Sequence, residues 1–381
     1  MSTEVQTMIG SFLDRHFSPR MAGEMAQAFE ASGVVDYYQG WDQLVAWWPD
    51  ALWRPEVTPM AQVMKNCDSL ADAFTMATIA AGATRNLGIA STTDSIRRGP
   101  AELMQTMMTM AHLTEGKAIF QIGAGELKQT KPFGWKRSEG LARMEDMLKL
   151  FRLLWESEEP VDFEGNFWNY KKAWLGSTRP YKPQVWAMGG GPKLYDLAIR
   201  YADGLQTIAP FVFPTPEGWA QHVQWMKQEL ERNGRDPEQF GFGMWFMVLA
   251  HEDRELIERA LQNPLNKWMS AVFGRLNQRD WAKEGIESVF PPEWHYSLKL
   301  LPYEWSRDQV DNIVNQVTPE MARKSFVIGT PEEVAAQVRA YADAGATHVM
   351  MLDWVGTTLP PEEAQGVLGR TIEMCRLVKK G

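Results

Sequence analysis

Cysteine is nearly absent, with two residues, Cys67 and Cys375, in a chain of 381. Neither has a redox or zinc-ligand spacing, so a disulfide framework and a cysteine metal site are excluded, and both are expected as reduced structural thiols of a cytoplasmic protein. Histidine is scarce too: the six residues include no i, i+4 pair, which removes the zinc-protease helix and leaves no metal to expect. Basic charge is in deficit, 39 Lys and Arg against 48 Asp and Glu, for a net charge of -9. Nucleic acid and anionic membrane surfaces are therefore disfavoured as partners. No apolar run reaches the length of a bilayer span. The first residues lack a basic stretch followed by an apolar core, so no export signal is expected. The Gly-x-x-x-x-Gly-Lys-Ser/Thr, Gly-x-Gly-x-x-Gly and Gly-x-Ser-x-Gly patterns are all missing. Without a metal or nucleophile motif, an organic cofactor is the simplest source of difficult chemistry.

What the chain does have is apolar bulk. Hydrophobic residues make up 45%, with 22 Met and 17 Trp, enough for a large core and for a broad apolar ligand pocket. The organising stretch is Lys117-Ala-Ile-Phe-Gln-Ile-Gly-Ala-Gly-Glu126. A short apolar run bounded by glycines reads as a buried strand, and the glycines let backbone approach a flat ligand. Glu126 then falls just past the strand's C-terminal end, where parallel α/β folds place their chemistry.

Seven further runs read as strands: 7–12, 34–39, 86–91, 184–188, 204–208, 240–250 and 347–352. Helical patterns alternate with them, marked by Pro19, Gly33, Ser69, Pro100, Gly234, a Thr330/Glu333 capping box and Pro360. No composition break divides the chain. The economical architecture is one (β/α)8 TIM barrel over 1–381 with insertions near 41–68, 159–182 and 263–325, ahead of an open doubly wound sheet. The strand ends would bring His16, Gly40-Trp41-Asp42, Ser91 to Ser95, Gly123 to Glu126, Gly189 to Pro192, Ile208 to Pro210 and Asp353-Trp354 to one mouth. Gly189-Gly-Gly191-Pro192 before a helix offers unpaired N–H groups and a positive dipole, an anion seat; the same glycines also suit a plain tight turn. The tryptophans of 41–59 and the aromatics of 159–182 suggest a bulky or apolar small-molecule substrate.

The set Thr93-Asp-Ser-Ile-Arg-Arg98-Gly-Pro100, Ile122-Gly-Ala-Gly-Glu126, Gly190-Gly-Pro192, Arg200-Tyr-Ala-Asp-Gly204 and Ile328-Gly-Thr-Pro-Glu-Glu resembles the bacterial luciferase-like superfamily. Within it the chain is most similar to the branch that uses coenzyme F420, an 8-hydroxy-5-deazaflavin. The resemblance implies a homodimeric luciferase-like barrel with the deazaflavin in its mouth. Trp41, Ser91, Thr93, Gln129, Gly189, Gly190, Gly191 and Pro192 would line the cofactor. Glu126 would be the active-site acid, raised by desolvation among aromatics. A cis peptide would lie at Ala90-Ser91. The branch carries Asp-His at the end of strand two, whereas this chain reads Gly40-Trp41-Asp42; Asp42 or His16 would take the proton role. The implied activity is hydride exchange with a carbonyl, alcohol or activated double bond. The rival readings are an FMN-dependent monooxygenase and a non-catalytic flavin-binding protein.

Overall fold

The computed structural model describes residues 4–11, 17–68, 71–176 and 179–381. The expected cap Ser69 and the proton-role candidate His16 lie outside the described residues. Eleven strands are found among those described: β1 (Gln6–Ser11), β2 (Tyr37–Trp41), β3 (Gly88–Asp94), β4 (Ala118–Gly123), β5 (Val161–Glu164), β6 (Asn169–Ala173), β7 (Gln184–Met188), β8 (Gly204–Ala209), β9 (Gly241–Ala250), β10 (Val327–Gly329) and β11 (His348–Asp353). Eight of them close a parallel ring in the order β1-β2-β3-β4-β7-β8-β9-β11, with β10 added along the end of β9 and β5-β6 forming a separate hairpin. This is the (β/α)8 barrel expected, and each expected barrel strand has its counterpart. β2 and β3 run two to three residues later than the composition suggested, because Trp41 and Thr92 to Asp94 still pair in register, Trp41 with Thr92 and Asp94 with Gly123.

Both faces of these strands are covered, which explains their near-continuous apolar sequences. One face packs on the outer helices through Phe29, Phe74, Phe120, Met147 and Phe246. Alternate residues point into the barrel, where Tyr37, Trp186, Trp245 and Met350 belong to a second apolar cluster. At the N-terminal end the lumen is plugged by aromatics. Trp186 lies edge-on to His348 at 4.8 Å, and His348 lies 5.7 Å from Tyr37. Burial pushes the His348 imidazole down to about 3, so it is a neutral packing residue. Room for the indole is made by glycine: a Cβ on Gly204 would come within 2.6 Å of the Trp186 ring, and one on Gly241 would overlap it outright.

Helix boundaries follow local chemistry. Gly33 ends Arg20–Ser32 at φ 66°, and Thr330 with Glu333 forms the capping box of Pro331–Asp343. Helix Ala73–Ala83 is capped by Asp72 rather than Ser69, its carboxylate accepting from Thr75 N at 2.8 Å. The closing helix is Val367–Lys380, starting after Gly366 rather than at Pro360. Cys67 and Cys375 are both free and buried. The peptide expected in cis at Ala90-Ser91 is not; it lies inside an unbroken ladder between Gln39-Gly40 and Ile119-Phe120, and the cis bond among the described residues is Ala209-Pro210.

The three insertions differ in use. The 159–182 excursion folds as the β5-β6 hairpin against helix Gly140–Glu156, where buried Asp146 accepts from Asn166 Nδ2 and Phe167 N at 3.1 and 2.8 Å. The other two dock on each other across the barrel's C-terminal end. Trp268 Nε1 donates to Trp47 O at 2.9 Å and Asn263 Nδ2 to Val57 O at 2.8 Å, while Thr58 Oγ1 ties the first of them to the turn after β11 by donating to Thr357 O at 2.7 Å. Gly241→Ala is expected to destabilise the fold by about 1–3 kcal/mol through overpacking against Trp186. Chemical denaturation measures this, and adding Trp186→Phe should recover part of the loss.

Candidate active site

Between the rim and the docked insertions lies a cleft of about 520 Å³. Behind it, deeper in the barrel, is an apolar chamber of about 60 Å³. Gln43, Thr92, Glu126, Met188, Ile208, Phe211 and Tyr296 border both, so the wall between them carries four polar side chains.

The glycine loop forms one end of the cleft. Gly189 and Gly191 adopt φ 137° and 107°, values that favour glycine. Pro192 starts helix Pro192–Tyr201, and the loop, Lys193 and Arg137 border the cleft. A Cβ on Gly191 would meet nothing within 4 Å, so this backbone stands open to a ligand. Arg137 Nε is buried with no partner among the described residues. A glycine-lined helix N-terminus is a seat for an anionic group, and Arg137 adds an unpaired Nε to the cleft wall near Glu126 and Tyr296.

Asp42 is held in a charge cluster. It accepts from Thr93 Oγ1 at 2.8 Å and from Arg98 Nε at 2.9 Å, and lies 3.3 Å from Arg97 Nη2. Arg97 is paired with Asp94 in turn, and Arg98 with Asp72 at 2.5 Å. Burial pushes the Asp42 carboxyl up, but Arg97 and Arg98 outweigh it and hold the carboxyl below the ordinary range. An ionised carboxylate shared by two arginines is poorly suited to the base role the sequence allowed.

Glu126 follows β4 and reaches both compartments. The sequence offered only desolvation to act on it. The structure adds a buried ammonium: Lys128 Nζ stands 2.8 Å from Glu126 Oε2, donates to Val45 O at 2.7 Å, and lies 4.8 Å from the Trp47 ring centre. Burial lowers the Lys128 value, with Glu126 acting in the opposite sense. An ion-paired carboxylate is a hydrogen-bond acceptor before it is a free acid.

The other expected cofactor residues divide. Thr93 and Gln129 border the cleft. The Gln129 amide is already committed, accepting from Leu44 N at 2.7 Å and donating to Val45 O at 2.6 Å, so it fastens the loop after β2. Ser91 is fully buried near Ala73 and Ala77 on the helix side of β3, away from the cleft. Trp41 lines the chamber instead of the cleft, stacked on Trp245 at 4.6 Å. The 159–182 hairpin borders neither compartment.

Sequence reasoning missed Lys128, Arg137, His295 and Tyr296. The last two come from the 263–325 insertion, on the turn opening helix Tyr296–Lys299, where His295 Nδ1 accepts from Ser297 N at 3.2 Å. Burial pushes His295 down to about 4, with Arg137 acting in the same direction. Nothing in Pro291-Pro-Glu-Trp-His-Tyr296 marks these residues as rim residues; the aromatic run was the available signal.

Among solved structures, the fold is similar to an F420-dependent secondary alcohol dehydrogenase in complex with an F420-acetone adduct, with TM-score 0.68 and 22% identity over 91% of this chain and 93% of that one. It is also similar to the long-chain alkane monooxygenase LadA, with TM-score 0.67 and 15% identity over 100% of this chain and 91% of that one. Among curated proteins, a phthiodiolone/phenolphthiodiolone dimycocerosates ketoreductase of Mycobacterium kansasii is 27% identical, covering 84% of this chain and 88% of its own length. An F420-dependent glucose-6-phosphate dehydrogenase of Kineococcus radiotolerans is 26% identical, covering 88% and 87%. Residues 43–348, from the loop after β2 to the start of the last barrel strand, match the luciferase-like monooxygenase family, and the chain belongs to it.

Proposed function

We propose that the protein is a coenzyme F420-dependent oxidoreductase that interconverts a carbonyl compound and its alcohol. The carrying observation is the polarity of the cleft. One end is an anion seat, and the other is a polar wall backed by an apolar chamber. Its volume of about 520 Å³ lies within the range of small-molecule and cofactor sites. The two curated relatives described above, by name a ketoreductase and an F420-dependent dehydrogenase, support the reading.

When bound, the deazaflavin supplies a two-electron hydride exchange. The protein's part is to hold two partners in register, exclude water and manage one proton. Gly189 to Pro192 and Lys193 would take the anionic side chain of the cofactor. Thr93, fixed by Asp42, would contact the ring. The substrate's reacting carbon would stand at the Glu126–Tyr296 wall, with a small apolar substituent in the chamber. At about 60 Å³ against about 520 Å³ the chamber is much the smaller compartment. It admits a methyl or ethyl group; the bulk of a larger substrate stays in the cleft.

Purified cofactor-free protein should quench added F420 saturably and bind FMN at least about tenfold more weakly, a difference of about 1.4 kcal/mol. Tighter FMN binding, with oxygen consumption in the presence of a flavin reductase, would replace this reading with the monooxygenase. Asp42→Asn should lower stability by about 3–5 kcal/mol, because two arginines lose a buried partner, and leave the acidic limb of the kcat profile in place. Loss of that limb would restore Asp42 as a base. Phe273 lines the chamber, so Phe273→Ala should enlarge it and move the preference in kcat/KM toward longer ketones by about 10–200-fold, the range for methylene-scale discrimination. An unchanged preference across a series of alkyl ketones would place the substituent elsewhere.

A further inference from the structure

Resting on that reading, we propose that Tyr296 exchanges the proton with the substrate oxygen, and that Glu126, held by Lys128, positions it. Strand two provides no proton donor here: Trp41 is stacked on Trp245, and Asp42 is shared by Arg97 and Arg98. Among the described residues, the polar side chains bordering both cleft and chamber are Gln43, Thr92, Glu126 and Tyr296. An amide and an aliphatic hydroxyl do not release protons near neutral pH. Glu126 is ion-paired with Lys128 at 2.8 Å. Tyr296 carries the remaining O–H.

Its ring is fixed on three sides, 4.4 Å from Phe273, 5.5 Å from Phe211 and 5.3 Å from His295. Burial raises the phenol well above its ordinary value, and Glu126 raises it further, so it stays an O–H donor at neutral pH. The charged and titratable groups facing the pair are Lys128 on the turn after β4, Arg137, and His295, which is neutral. Asp68 and Arg97 act on Lys128 from behind in opposite directions.

In the reducing direction a bound reduced deazaflavin would supply a hydride to the carbonyl carbon, and the carbonyl π pair would move onto oxygen. The Tyr296 O–H bond breaks as a new O–H forms on the product. The tyrosinate recovers its proton from solvent when the product leaves. A developing alkoxide is a stronger base than a phenolate, so the transfer runs downhill even from a raised phenol.

Three measurements test this. Tyr296→Phe should lower single-turnover reduction of a small methyl ketone by about 10²–10⁴-fold while deazaflavin affinity stays within about twofold; retention of more than about a tenth of the rate overturns the proposal. With 3-fluorotyrosine at position 296, which has a more acidic phenol, the alkaline limb of kcat should move to lower pH, and an unmoved limb overturns it. In the cofactor-free protein the fluorine signal should titrate above free 3-fluorotyrosine, and Glu126→Gln should bring its midpoint down. A midpoint blind to that change removes the Glu126 contribution. If Glu126→Gln fails to fold because Lys128 is left buried and unpaired, Glu126→Gln combined with Lys128→Met serves instead. Failure of the wild-type protein to bind deazaflavin would sink the functional reading, and the fluorine titration would still decide the Tyr296–Glu126 coupling.

Discussion

A buried ammonium holds the rim of this barrel in shape. Lys128 is 1% exposed, and taking an ammonium out of water costs several kcal/mol. The turn that carries it is therefore stable only where partners are supplied, and these come from three directions. Glu126 provides the charge, Val45 a carbonyl and Trp47 a ring face. Gln129, next along the turn, adds bonds to Leu44 and Val45. The aim of Glu126, the seat of the loop after β2 and the wall of the chamber are consequently one constraint. That loop is in turn docked on the 263–325 insertion through Trp268 and Asn263. A change at Lys128 would thus reach the insertion through this loop as well as through the turn's own packing on Tyr296–Lys299.

The same constraint explains why the cleft has two unlike ends. Glycines with positive φ gather where β7 ends, while Arg137 borders the cleft near Glu126 and Tyr296. Methionines and aromatics gather over β9 and β11, where Met247, Met350, Trp245 and Leu352 face inward. A ligand with one anionic and one neutral end fits such a cleft in a single direction. Orientation is then set by electrostatics at the far end and shape at the near end, and the reacting atoms need no strong contact of their own before the transition state.

How much of this was legible in the sequence depends on the range of the interaction. The barrel was legible because its signals are local: apolar runs of five to eleven residues alternating with capped helical patterns around the ring. The glycine loop and Glu126 were legible for the same reason, since strand ends converge once the ring closes. Ser91 and Trp41 were assigned by motif position, and strand alternation sent them elsewhere. β3 continues to Asp94, so Thr92 faces the chamber and Ser91 the helices. The roles of Lys128 and Tyr296 were illegible because each is created by a contact across a large sequence separation. Lys128 looks like an ordinary helix-surface lysine until the Val45 carbonyl and Trp47 close over it.

The position of Tyr296 gives the insertion a meaning beyond coverage. A residue on a barrel strand is fixed by the ladder, and its direction cannot be retuned without disturbing neighbours on both sides. A residue on the turn at 295–297 is fixed by side-chain packing and by the His295 cap. It can be moved by changing the loop alone. In this chain strand two commits Trp41 to the chamber floor and Asp42 to the arginine cluster, which gives the rim rigidity and an aromatic surface. Among the described residues the proposed donor then arrives from outside the ring. The insertion that delivers it also closes the chamber through Met269 and Phe273. Proton supply and substrate size are thereby coupled in one segment, so a loop that admits a larger substituent also shifts the phenol that must meet its oxygen.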